Sequence, residues 1–263
     1  ALRLANGVTA RGNAAQATGQ LRADGLAFEL QAATVAVGVL RVAGVDADAI
    51  SGRLTPQPLP RLDAELTARL LDAPITLHVR TDLEAGTARV KFDGAISPRV
   101  LDVISARVGR DVRRYYDFDA LEAGDGDANF GPGWKFEKLS ARVRVPRMNS
   151  YGVIMEDGRA RVELEPHRFY SPEAYARVGD NFARGTYEHN LRTHEYRFLL
   201  TGRLRPLEIS PWFGPWWPNF FERLEFPLGP PDASVEVTGV WRQGRQSKLF
   251  VYGETPRVLF RGA

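Results

Sequence analysis

Alternation of apolar and polar side chains with a period of two runs through most of this chain, and it limits the fold more than any other feature. Ala141, Val143 and Val145 oppose Arg142 and Arg144, and Ala160, Val162 and Leu164 oppose Arg159, Arg161, Glu163 and Glu165. Ile75, Leu77 and Val79 oppose Thr76, His78 and Arg80, while Ala88, Val90 and Phe92 oppose Arg89, Lys91 and Asp93. Tyr196, Phe198, Leu200 and Leu204 oppose Arg197, Thr201, Arg203 and Arg205, and Val235 and Val237 oppose Glu236 and Thr238. Successive side chains of a strand point to opposite faces, so each segment reads as a strand with one apolar and one wet face. That habit belongs to antiparallel sheets.

Turn residues separate the strands. Glu84-Ala85-Gly86 and Glu156-Asp157-Gly158 read as hairpin turns, and residues 185–197 read as strand, turn at Asn190–Thr193, and strand. Val100, Leu101, Ile104 and Val108 stand at helical spacing within Pro98–Val112, and Pro172–Val178 reads as a second short helix. A repeat follows from this order. A hairpin leads into Gly94-Ala-Ile-Ser-Pro98, and a second leads into Gly202-Arg-Leu-Arg-Pro206, each followed by a short apolar stretch. Gly52-Arg-Leu-Thr-Pro56 is a degraded third copy. Such units cannot bury their apolar faces alone and stack side by side.

The chain of 263 residues is read as a single β-rich domain, spanning 1–263, in two halves of one sheet (1–121 and 134–263). The Gly- and Asp-rich segment 122–133 is the expected hinge, and Pro56, Pro58 and Pro60 mark a kink. Hydrophobic residues make up 44%, a globular composition. A net charge of only +3 gives no footprint for nucleic acid. The lack of cysteine excludes disulfides, thiolate catalysis and Cys-ligated zinc. The longest apolar run, Ala32–Leu40, is shorter than the roughly 20 residues a spanning helix needs. Because the first residue is Ala, the sequence is read as a piece of a longer protein or as a mature form, either of which leaves room for a membrane anchor outside it.

Motifs for chemistry are weak. Asp125, Asp127 and Asn129 have the opening spacing of a calcium loop, but Phe130 and Phe136 stand where Gly and Glu belong, so a solvated loop is expected. His189 and His194 flank a turn without a third ligand and are expected at the surface, not on a metal. No nucleophile elbow, zinc-helix motif or phosphate loop occurs, and the chain is read as non-enzymatic, with no cofactor. The segment Ser210–Phe221 (SPWFGPWWPNFF) is different. It holds Trp212, Phe213, Trp216, Trp217, Phe220 and Phe221, broken by three prolines and a glycine. Either these side chains plug the end of a core, each burying about 150–250 Å², or they form an interface for lipid or sugar.

The one-faced hairpin strands, the segment Gly158–Pro166 (GRARVELEP) and the segment Tyr196–Phe213 (YRFLLTGRLRPLEISPWF) resemble the AsmA-like proteins of the bacterial envelope, the group that includes TamB and is placed with bridge-like lipid-transfer proteins. That resemblance spans about residues 60–263. It implies an all-β fold: a long antiparallel sheet of hairpin repeats curled into a half-open groove, with one or two short helices. It implies phospholipid acyl chains as cargo, sliding along a groove lined by Val143, Val145, Val162, Leu164, Phe198, Leu200, Val235 and Val237. It further implies a periplasmic domain, anchored to the inner membrane by a segment outside this sequence, that guides phospholipid or supports outer-membrane assembly. Inner and outer membrane surfaces are then partners through other parts of the chain. Three alternatives remain: a β-sandwich module stacking glycans on its aromatic loop, a scaffold segment with a filled core, and an outer-membrane barrel. A closed sandwich uses the same alternation.

Overall fold

The computed structural model describes residues 2–3, 9–24, 27–42, 45–55, 57–179, 181–212, 216–241, 243 and 246–262. The chain is mostly strand, antiparallel wherever register is defined, with a few short helices, as the alternation requires. Two compact units divide it: residues 1–110 with 120–142, and residues 111–119 with 143–263.

The first unit is a meander. Strand β1 (Leu2–Arg3) pairs with β2 (Thr9–Asp24). Then β3 (Ala27–Val42), β4 (Val45–Thr55), β6 (Arg61–Leu70), β7 (Ala73–Asp82) and β8 (Thr87–Ile96) follow as successive antiparallel neighbours. The short β5 (Gln57–Pro58) pairs with β3. Helix α1 (Val100–Val108) comes next, and β10 (Leu121–Gly131) returns beside β8. Helix α1 ends on Gly109, which takes the left-handed conformation a C-terminal glycine supplies at no steric cost.

Segment 122–133 is therefore not a hinge. It is largely strand β10, and the boundary between the units falls at 142/143. Its acidic residues are matched across the sheet. Asp127 pairs with Arg89, which holds its carboxyl below the usual carboxylate range, and Asp125 pairs with Arg142 at 2.8 Å. At Gly126 the Phe92 ring occupies the place of a Cβ, with atoms within 2.5 Å of it, so any side chain there would displace that ring.

The second unit contains β9 (Tyr116–Phe118), which pairs with the end of β11 (Lys135–Ser150). Strands β12 (Val153–Glu165), β13 (Arg168–Val178), β14 (Asn181–Asn190), β15 (Glu195–Arg203), β17 (Asp232–Val240) and β18 (Lys248–Glu254) form one antiparallel ladder. Between β15 and β17 lie α2 (Pro206–Ile209), a 3-10 turn (Ser210–Trp212) and α3 (Trp216–Phe221). Strands β16 (Leu224–Glu225) and β19 (Leu259–Phe260) form a separate pair.

Two local expectations are corrected here. Glu156-Asp157-Gly158 is not a turn but a register shift within β12, with Asp157 at positive φ and its carboxylate 2.8 Å from Arg159 and 3.7 Å from Arg144. The hairpin turn lies earlier, at Tyr151-Gly152, both at positive φ as a tight two-residue turn demands. Pro172–Val178 is not a helix but the end of β13. A shift between Ser171 and Ala174 absorbs Pro172, and the Ser171 hydroxyl donates to the Arg161 carbonyl at 2.8 Å.

The repeat is visible in register. Gly94 pairs with Ile75 and Ala123, and Gly202 pairs with Ala183 and Ala233. At both glycines the neighbouring strand leaves no room for a side chain. A Cβ would lie 2.5 Å from the Pro74 carbonyl oxygen at Gly94, and 2.3 Å from that of Phe182 at Gly202. Seven residues later, Leu101 and Ile209 are both buried. Each unit thus contains a hairpin, a close-approach glycine, a helix anchored by one apolar residue, and a returning strand. Gly52 shares the close approach, against the Glu65 carbonyl, while Pro56 lies outside the described residues.

Candidate functional site

Strand register gathers six of the expected groove residues on one face of the second unit. Leu200 pairs with Val235, and Val235 with Val251. Phe198 pairs with Val237 and Tyr187. Leu164 pairs with Phe169, which pairs with His189, which pairs with Tyr196. Val162 falls at a register shift between Arg161 and Glu163, but the extra residue is on β13, and Ala160 and Leu164 on either side both lie on this face, so Val162 shares it. Val143 and Val145 flank Arg144, whose guanidinium pairs with Asp157 on the charged side, so both valines point the other way, and Val145 is buried. The opposite face carries cross-strand ion pairs: Arg168 with Glu188, Arg177 with Glu156, and Arg197 with Glu236. Each contributes only about 0–1 kcal/mol; their effect is to keep that face wet.

One end of the apolar face is filled. Val153, Val178, Ala183, Leu204 and Ile209 form a buried cluster, with Met155, Leu200 and Trp212 packed against it. The Trp212 indole N–H donates to the Ser150 carbonyl at 2.9 Å, which ties the 3-10 turn to the end of β11. Trp212 therefore acts as a plug.

The aromatic segment is more regular than its prolines suggest. Pro206 stands at the start of α2 and Pro218 in the first turn of α3, where a missing N–H costs no helical hydrogen bond. Residues four apart on α3 then share a face. Trp216 stacks on Phe220 at 5.2 Å, and Trp217 on Phe221 at 5.3 Å. The two stacks part company: Trp217 and Phe221 turn toward the sheet, whereas Trp216 is 61% exposed. Phe213 lies outside the described residues.

Between this segment and the sheet lies a cavity of about 100 Å³. Leu200, Val235 and Val251 line it from the strands, and Ile209, Trp217 and Phe221 from the helices. Among the described residues, none that lines it carries a charge, an amide or a hydroxyl in its side chain. Such a lining offers water no hydrogen bond, and an enclosed apolar void of about 150 Å³ takes up benzene. On the strand β18 side the lining is open, with Val251 60% exposed. Of the expected groove residues, Leu200 and Val235 reach this cavity. Phe198 and Val237 lie one rung beyond it, and Val143, Val145, Val162 and Leu164 are not part of its lining.

Further along the same face the chemistry changes. Tyr187, His189, Tyr196 and Trp241 form a chain of ring contacts, with His189 6.0 Å from Trp241 and 6.4 Å from His194. His189 is not a surface histidine: it is half-buried, and its Nε2 has no hydrogen-bond partner. Burial, with the nearby His194, holds its pKa below the ordinary value, and burial pushes the Tyr187 hydroxyl up to about 12. Among the described residues no group of three His, Asp or Glu side chains is placed to hold a metal. No helix among them is long and apolar enough to cross a membrane. Sequence reasoning missed Val251, Leu249 and this aromatic chain. Strand β18 is apolar on both faces and shows no alternation, and rows across a sheet emerge only once register is known.

Compared with protein-family models, curated proteins and solved structures, the chain matches none of them.

Proposed function

We propose that the second unit binds the acyl chain of a lipid along the apolar face of its sheet, without catalysing a reaction. The cavity beside Leu200 and Val235 carries this reading, because an unsealed, wholly apolar lining favours hydrocarbon over water. Each CH₂ removed from water contributes about 0.8 kcal/mol. The aromatic segment closes one end of the strip, and the ion-paired face keeps the reverse side in water. The resemblance to AsmA-like proteins extends the proposal: a phospholipid-guiding domain of a bacterial envelope, working in the periplasm and held at the inner membrane by another part of the chain.

Purified protein is expected to carry co-extracted phospholipid and to take up a fluorescent fatty acid saturably. Val251→Asp, which places a charge at the open side of the cavity wall where the side chain is largely exposed, is expected to abolish both while the strand signal in circular dichroism persists. Lipid-free protein with no uptake, or uptake indifferent to the substitution, would overturn the reading.

A further inference from the structure

Pro206 and Phe221 have a cavity on each side. One is the apolar cavity just described, and the other, of about 320 Å³, is lined by Arg205, Leu207, Leu224, Glu225 and Phe226 besides these two shared residues. Strand alternation produces the division. Leu204 is 4% exposed and faces the core, so Arg205, its neighbour in extended conformation, faces solvent. Of the two charged side chains among the described residues that line the second cavity, Glu225 is already neutralised by Arg261. Arg205 has no carboxylate partner among the described residues. The contrast with the first unit is informative. There a polar cavity of about 700 Å³ carries charges of both signs: Arg61 pairs with Asp82, Arg80 with Asp63 and Arg89 with Asp127, so each of its guanidinium groups has a carboxylate. An uncompensated guanidinium beside an apolar cavity is a different arrangement. Guanidinium binds carboxylate and phosphate through charge-assisted hydrogen bonds.

We infer that the site takes an anionic amphiphile, its acyl chain against Leu200, Val235 and Trp217 and its carboxylate or phosphate head on Arg205, with the molecule passing over Phe221. This rests on the acyl-binding reading and adds a preference for the charge of the head. It can fail while that reading stands.

The test compares a fluorescent fatty acid with its methyl ester at pH 8, together with inorganic phosphate alone. Wild-type protein is expected to bind the acid about tenfold more tightly than the ester, the factor that about 1.4 kcal/mol represents. Arg205→Ala should bring the acid down to the affinity of the ester and leave the ester unchanged; Arg205→Lys should restore part of the preference. Since Arg205 is exposed, the melting temperature of these variants should stay near wild type. Equal binding of acid and ester by the wild type, or an Arg205→Ala variant that keeps the preference, would overturn the inference and spare acyl binding. Absence of binding by both probes would overturn the acyl reading and this inference with it. Phosphate alone is expected to bind weakly and to compete with the acid but not the ester. Phosphate binding as tight as the acid would mean a free-anion site and would also overturn the inference.

Discussion

The two copies of the glycine-led motif begin alike and end differently. After Gly94 the chain forms one helix, α1, and passes to the returning strand through a segment with two tyrosines. After Gly202 it forms two short helices joined by a turn, carrying three tryptophans and two stacked aromatic pairs. The shared part is backbone geometry: a strand approach too close for a side chain, then one buried apolar anchor seven residues on. The divergent part is what sits over the apolar face. Steric demand thus fixes how the motif starts and leaves the connection free to vary. In the second unit that freedom holds Trp217 and Phe221 across a cavity instead of sealing it.

The comparison breaks most readily at the glycines. Gly94→Val and Gly202→Val each set a side chain against backbone atoms of the neighbouring strand, and each should destabilise its own unit by about 3 kcal/mol or more. Thermal melts with limited proteolysis would assign each loss to its unit. Loss at only one site would mean that the two motifs are not equivalent. The anchors sharpen the comparison with a smaller effect. Leu101→Ala and Ile209→Ala should each cost about 2–5 kcal/mol by chemical denaturation. Only Ile209 lines the apolar cavity. Ile209→Ala should therefore change fatty-acid affinity, toward tighter binding as the cavity grows, and Leu101→Ala should leave it unaltered.

Much of this architecture is legible in the sequence, since alternation and turn residues act locally. Strands β7, β8, β14 and β15, the turn at Glu84–Gly86 and helix α1 all follow from patterns within a dozen residues. The misreadings occur where a distant partner decides. Asp125 and Asp127 look like loop residues until Arg142 and Arg89 are placed opposite them. Asp157-Gly158 has the composition of a turn, yet Arg144 and Arg159 hold it as a bulge in a continuous strand. Pro172 suggests a helix start until the shift after Ser171 accommodates it. The candidate site was legible only in part. Leu200, Val235, Trp217 and Phe221 are conspicuous, but their convergence on one cavity depends on how the connection folds back over the sheet. Proline spacing alone does not encode that.

The central claim is that hydrocarbon enters the cavity beneath Trp217, and fluorescence quenching tests it most directly. A fatty acid brominated at its methyl end should quench tryptophan emission in the wild type, and the quenched fraction should largely vanish in Trp217→Phe while it persists in Trp216→Phe. Quenching that is absent from the wild type, or that survives unchanged in Trp217→Phe, would contradict the account.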